Sequence, residues 1–304
     1  MFTKSDHAVF APRATHASTN RPPAMDGRWR RVGFGIRAFL WVAAPLAFLG
    51  GAQVTLLCTH TGTHWAWTIA LPITAIFIGA SFLATSVLFA WGLGQREWIR
   101  VRAVVSGGPF VTLGLLIATL RHVSEFHGAV GVIWVQAYVF AVPAFFAAAG
   151  QQLLVPGRDR PVEERLPVWL RGALALQAIV MLAWGVLLLS RPHDAGAVWA
   201  WPLAPLAAEA IAAWLLGIGA SAAYISLRGD RSDMPGAALS YIVLGAIWIG
   251  GAIFAGDAFH NGLDAMLYTL FAASVILVGA AGAILSYREG RYLSLGGQSG
   301  PADA

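Results

Sequence analysis

Trp65-Ala66-Trp67-Thr68-Ile69-Ala70-Leu71-Pro72 is answered further down the chain by Trp199-Ala200-Trp201-Pro202-Leu203-Ala204-Pro205. The leading tryptophans are 134 positions apart, and so are Arg37 and Arg171. Trp201 to Pro205 is one residue shorter than Trp67 to Pro72, so the offset becomes 133 and stays there from Ile78/Ile211 to Phe126-His127/Phe259-His260. The chain reads as a duplicated unit, and each half must solve the same physical problem.

That problem is set by the solvent. Hydrophobic residues make up 58% of the chain, charged residues only 12%, and the mean hydropathy is +0.66. A soluble domain carries about 25% charged residues, so this chain has too little charge to clothe a water-facing surface and suits a bilayer. Its net charge of +5 does not signal nucleic acid, because the basic residues follow the loops described below. The single cysteine, Cys58, makes no internal disulfide and no C-x-x-C pattern. It reads as an inert thiol at a helix end.

Eight apolar runs approach the roughly 20 residues needed to cross a hydrocarbon layer. They lie near Ala38–Cys58, Thr68–Leu93, Val101–Leu120, Val130–Gly150, Gly172–Ser190, Leu203–Leu227, Gly236–Ala255 and Leu263–Tyr287. The third is the weakest, because Gly107-Gly108-Pro109 interrupts it. Pro72 and Pro205 suit the first turn of a helix, where no N–H is needed, whereas Pro45 and Pro143 fall inside their runs and predict kinks. With eight spans both termini share one side. That side collects all but two of the 20 Lys and Arg, leaving Arg121 and Arg191 opposite. The positive-inside rule then makes the basic side cytoplasmic. Four spans per half give the halves the same orientation, related by an axis along the membrane normal.

The expected organisation is a disordered cytosolic tail over 1–36, a four-helix repeat over 37–151, a Pro-rich cytosolic linker over 152–170, a second repeat over 171–287 and a cytosolic tail over 288–304. Residues 1–31 hold no apolar run of signal-peptide length. Trp65, Trp67, Trp199 and Trp201 fall at the expected outer boundary and Trp98 and Trp169 at the inner one, where indoles favour the headgroup level.

Few residues offer chemistry. His60, His64, His122, His127, His193 and His260 lie on the outer side, while His7 and His16 are in the tail. His127 and His260 each precede the last helix of a half, so pseudo-symmetry gives them equal depth. A pair of imidazoles can ligate zinc, copper or a haem iron, with His122 a third candidate. Glu125, Asp194, Asp257 and Asp264 lie at the same border and can support such a site. Against this, interfacial histidines commonly just hydrogen-bond, and duplication copies residues whether or not they work. Glu209 is the one carboxylate clearly inside an apolar run, and its counterpart is Ile76. An ionisable group there is a functional candidate by default, unless it only reaches the outer headgroups or a water pocket. Gln136, Gln177 and Tyr241 are mid-span polar groups that either bond between helices or line a cavity. Coupled transport is disfavoured by the absence of a charge at mid-span, and nucleotide binding by the absence of phosphate-loop spacing after Gly107-Gly108-Pro109.

The stretches Trp65-Ala-Trp67…Leu71-Pro72…Ile78-Gly79-Ala80, His122…Phe126-His127 and Trp199-Ala-Trp201-Pro202-Leu203-Ala204-Pro205-Leu206 resemble a group of uncharacterised multi-pass membrane proteins from actinobacteria and related bacteria. The resemblance runs from about Arg37 to Tyr287. In that group the second element usually reads Trp-Pro-Trp-x-Leu-Thr-Pro-Leu-Thr-Ala-Arg, and Glu209 stands where the final Arg would be. The group has no established activity, so the resemblance implies topology alone and leaves any cofactor unknown.

Three readings follow for an all-α, eight-span bacterial plasma-membrane protein. The first is binding or passage of a small or lipidic molecule at the interface between the halves, without catalysis. The second is a metal- or haem-binding redox protein using the outer histidines. The third is a non-catalytic subunit whose partner is another membrane protein or a second copy of itself.

Overall fold

Pro72 and Pro205 each open a helix, directly after a loop built on the Trp-Ala-Trp element. The missing proline N–H costs nothing in a first turn. In this computed structural model, which describes residues 29–162, 164–194 and 198–287, eight helices are long and apolar enough to span a membrane. They are α1 (Phe34–Leu56), α2 (Pro72–Leu93), α3 (Trp98–Arg121), α4 (Gly128–Leu153), α5 (Val168–Ser190), α6 (Pro205–Arg228), α7 (Met234–Phe254) and α8 (Gly262–Tyr287). The protein is an all-α integral membrane protein with eight spans.

The Gly107-Gly108-Pro109 interruption is real. It divides α3 into Trp98–Ser106 and Gly108–Arg121, with Pro109 in the first turn of the second piece. Pro45 and Pro143 lie inside helices that run on through them.

The helices pack in a ring in the order α1, α2, α7, α8, α5, α6, α3 and α4, and α4 closes back on α1. Thus α2 leaves its own half to pack on α7, and α6 leaves its own half to pack on α3. These two helices also touch each other across the middle. Their first ten residues after the proline, Ile73 to Phe82 and Leu206 to Leu215, are all buried.

Small residues allow the close crossings. Gly107 and Gly217 face each other where α3 crosses α6, and a methyl on Gly107 would strike the Gly217 carbonyl oxygen. Gly51 and Gly79 do the same between α1 and α2, each lying where a Cβ would come 3.0 Å from the other's carbonyl oxygen.

Matching backbone bonds recur at the offset read from the sequence. The His127 amide donates to the Ala66 carbonyl and the His260 amide to the Ala200 carbonyl, both at 3.1 Å. At the other end of the helices the Val32 amide donates to Arg96 at 3.0 Å and the Leu166 amide to Gly229 at 2.9 Å. Arg31 pairs with Glu97, and Arg165 with Asp230, as isolated bridges. Of the tail expected over 1–36, residues 1–28 lie outside the described residues, while Trp29–Val32 are held by this pairing. The expected tail over 288–304, His7 and His16 also lie outside the described residues.

The four tryptophans expected at the outer boundary turn their rings into the protein rather than outward to headgroups. Trp65, Trp67, Trp199 and Trp201 are buried in the protein. Within each pair the rings meet at a steep angle, tilted at 5.7 Å for Trp65–Trp67 and edge-on at 5.3 Å for Trp199–Trp201. Phe126 closes on Trp67 at 5.5 Å and Phe259 on Trp201 at 5.6 Å. Each Trp-Ala-Trp loop folds inward and plugs its end of the ring. The physical reason is area: an indole gains more from burial among aromatic rings than from a half-wet boundary. Trp169, by contrast, is largely exposed at the opposite end.

Candidate functional site

Glu209 occupies the second turn of α6, within the fully enclosed stretch, and is only 1% exposed. It therefore does not reach outward to headgroups. Its partners come from the end of α3, in the other half. Arg121 Nη1 lies 3.0 Å from Glu209 Oε1, and His122 Nε2 lies 3.5 Å from the same oxygen. The other face of His122 is taken by Glu125, at 3.0 Å from Nδ1. A neutral imidazole donates from one nitrogen only, so donating to both carboxylates requires the imidazolium.

The fold assembles this cluster through the α3–α6 crossing. Gly107 and Gly217 bring the helices together at one level, and Gly114 against Ala213 continues the contact toward the Trp-rich end. That close approach delivers Arg121 and His122 onto Glu209. The Arg121 side chain is 55% exposed, so one end of the pair is dry and the other wet. Glu209 Oε2 is buried and has no hydrogen-bond partner among the described residues. A buried carboxylate oxygen without a donor is costly, and such exceptions call for an explanation.

Next to the cluster a crevice is lined by Trp67, Thr68, Thr74, Glu125, Leu206 and Ala207, among others. It joins the Trp-Ala-Trp loop of one half to the α6 entry of the other. Among the described residues the buried Trp67 indole N–H has no partner either, whereas Trp201 Nε1 donates to Thr74 Oγ1 at 2.8 Å. Of the polar residues lining the crevice, Glu125 belongs to the charged cluster and the Thr74 hydroxyl already accepts from Trp201.

All four members of the cluster are apolar at the offset positions. Arg121, His122, Glu125 and Glu209 correspond to Phe254, Ala255, Ala258 and Ile76. Ile76 packs where a Cβ on Gly251 would meet its Cγ2 at 2.7 Å. One interface between the halves is closed with hydrocarbon and the other with charge. The whole substitution points to a unit rather than to stray polar residues. Reading the two halves against each other at every charged position would have exposed Arg121 as a partner of Glu209, a role that loop position alone conceals.

The remaining sequence candidates are scattered. Gln177 is buried on α5, with Nε2 donating to Ser274 Oγ on α8 at 3.0 Å, an interhelical bond. Tyr241 is buried on α7, and its hydroxyl has no partner among the described residues. Gln136 is exposed on the outside of α4 and lines nothing inside the ring. His127 Nε2 meets Thr68 Oγ1 at 3.2 Å, and His127 and His260 are tied to different Trp-Ala-Trp loops. Among the described residues no group of three His, Cys, Asp or Glu is arranged to hold a metal ion. His127, His260 and His122 accordingly do not form such a group of three.

A second charged group, not foreseen from sequence, sits at the arginine-rich end. Arg102 of α3 is buried and reaches Asp230 at 2.8 Å and Asp233 at 3.2 Å, both in the turn between α6 and α7. Ser232 supports it by donating to Asp230 from its hydroxyl at 2.8 Å and its amide at 3.0 Å. So α3 is pinned to the second half by ion pairs at both of its ends. Comparison with known protein families, curated proteins and solved structures returns no match for the chain.

Proposed function

We propose that this is a bacterial plasma-membrane protein of two parallel four-helix repeats, with both termini cytoplasmic, that binds a small molecule at its outer face between the repeats. The observation that carries the reading is the buried Glu209 carboxylate: one oxygen is held by the half-exposed Arg121, and the other has no donor. A ligand with an N–H or O–H group supplies the missing donor, and a small protonated amine supplies charge as well. Aromatic rings beside the carboxylates suit a cation further. Arg121 can be displaced toward water because more than half of it is already there. The ion pairs at the two ends of α3, with a glycine crossing between them, also suit a helix that releases one end at a time, which is what passage across the membrane would require.

The test uses the full-length protein in lipid nanodiscs, with ethylammonium and ethanolamine as probes and acetate as the control anion. Thermal stabilisation should rise with amine concentration, remain flat with acetate, and vanish in Glu209→Gln. No stabilisation by either amine, or equal stabilisation in the variant, would overturn the proposal.

A further inference from the structure

Ala129, Ile133, Gln136, Phe140, Pro143 and Ala147 of α4 recur in alternating steps of four and three residues, and every one is exposed. Steps of four and three are the seam of two helices packed side by side. Lipid alone explains the apolar members. It does not explain Gln136.

α4 has 26 residues. Gln136 lies eight residues past its start, which at 1.5 Å per residue is about 12 Å along the helix. A helix of this length overshoots a hydrocarbon layer about 30 Å thick by only a few ångströms at each end. Gln136 is therefore inside the hydrocarbon. Among the described residues its amide has no hydrogen-bond partner. The offset position on α8 is Thr269, whose hydroxyl donates to the Ala265 carbonyl of its own helix at 2.7 Å. The shorter side chain satisfies itself, whereas the Gln136 amide, with two donors and an acceptor, needs an outside partner. α4 is also the least covered of the eight helices, 17% buried over its most apolar window.

We propose that α4 is the interface of a homodimer, packed against a second copy of itself about a twofold axis along the membrane normal, with the two Gln136 amides bonded to each other. A carboxamide carries both a donor and an acceptor, so the same residue from a second copy is its chemical complement. A twofold axis along the membrane normal brings equal depths together, and a polar residue in the seam fixes register. Ala129 and Ala147 flank it with small side chains that permit close approach.

The experiment places a cysteine at the axis. In a Cys58→Ser background that keeps Gln136, Ile133→Cys on the same seam and, as a lipid-facing control, Leu176→Cys on α5 are reconstituted in liposomes and oxidised. Ile133→Cys should give a covalent dimer several times more efficiently than the control. Separately, the otherwise unaltered protein should be dimeric by single-molecule photobleaching down to low protein-to-lipid ratios. Gln136→Leu should shift it toward monomer, and Gln136→Asn should retain the dimer. Monomers throughout, a dimer indifferent to Gln136→Leu, equal crosslinking at both sites, or α4 covered by a different protein would each overturn the proposal.

Discussion

Arg121 and Glu209 meet at 3.0 Å between the two halves, at positions where the 133-residue offset places Phe254 and Ile76. The pair is thus charged where the offset positions hold hydrocarbon side chains. Removing one partner leaves a buried charge, whereas replacing both with their counterparts leaves none. Arg121→Ala should lower unfolding free energy in detergent by about 1–3 kcal/mol, below the fully buried range because the guanidinium is half in water. Arg121→Phe/Glu209→Ile should stay within about 1 kcal/mol of the parent, since replacing both partners by apolar groups is close to neutral. A double-mutant cycle reads the difference as coupling. Simple additivity of the two single changes would show that the pair does not act as a unit.

At the arginine-rich end the Arg102 side chain is 5% exposed and faces Asp230 and Asp233, which are at least as well buried. Arg102→Leu strands two carboxylates and should cost about 3–5 kcal/mol. Arg102→Lys should rescue only part of this, because one ammonium cannot serve both carboxylates as the planar fork does. Thermal unfolding of the three proteins in one detergent checks the order. A lysine variant as stable as the parent would mean that charge alone matters there.

Hydropathy made the eight spans legible because each is read from one local stretch of sequence, even the third, which Gly107-Gly108-Pro109 interrupts. Pro72 and Pro205 gave away two helix starts, and Glu209 stood out against its apolar neighbours. What stayed hidden depends on which helices become neighbours. Arg121 and Arg102 read as loop charges, since nothing local says that α3 lies against α6 and the turn before α7. The tryptophan loops misled for a different reason. An indole near a helix end has the same local signature whether it faces headgroups or folds into the core, and only the aromatic partners Phe126 and Phe259 decide it.

The two tryptophans of the second loop should respond unequally. Trp201 is fully enclosed and donates to Thr74 at 2.8 Å, whereas the Trp199 N–H has no partner. Trp201→Phe loses volume and strands the Thr74 hydroxyl, for a cost of about 2–4 kcal/mol. Trp199→Phe loses volume alone and should cost about 1 kcal/mol less. Trp169→Phe, at an exposed indole, should stay within about 0.5 kcal/mol. Melting temperatures in one detergent rank the three, and equal losses at Trp199 and Trp201 would remove any role for the hydrogen bond.

The crossing of α3 and α6 rests on the absence of two side chains. A methyl on Gly107 meets the Gly217 carbonyl oxygen, which is backbone and cannot rotate away, and a methyl on Gly217 meets Val111. Gly107→Ala should therefore separate the helices and cost about 1–3 kcal/mol through overpacking. Gly217→Ala should cost less, because the Val111 side chain it strikes has some freedom to move, although the Gly107 carbonyl oxygen lies 3.0 Å away. Gly250→Ala on α7 is the control: nothing lies within 4 Å of its added methyl, and alanine favours a helix by about 1 kcal/mol. The same separation would draw Arg121 away from Glu209, 14 residues along α3 from Gly107. Gly107→Ala should thus weaken amine stabilisation as well as the fold, whereas Gly250→Ala should leave amine stabilisation unchanged. Stability lost without any change in amine response would separate the crossing from the Glu209 site.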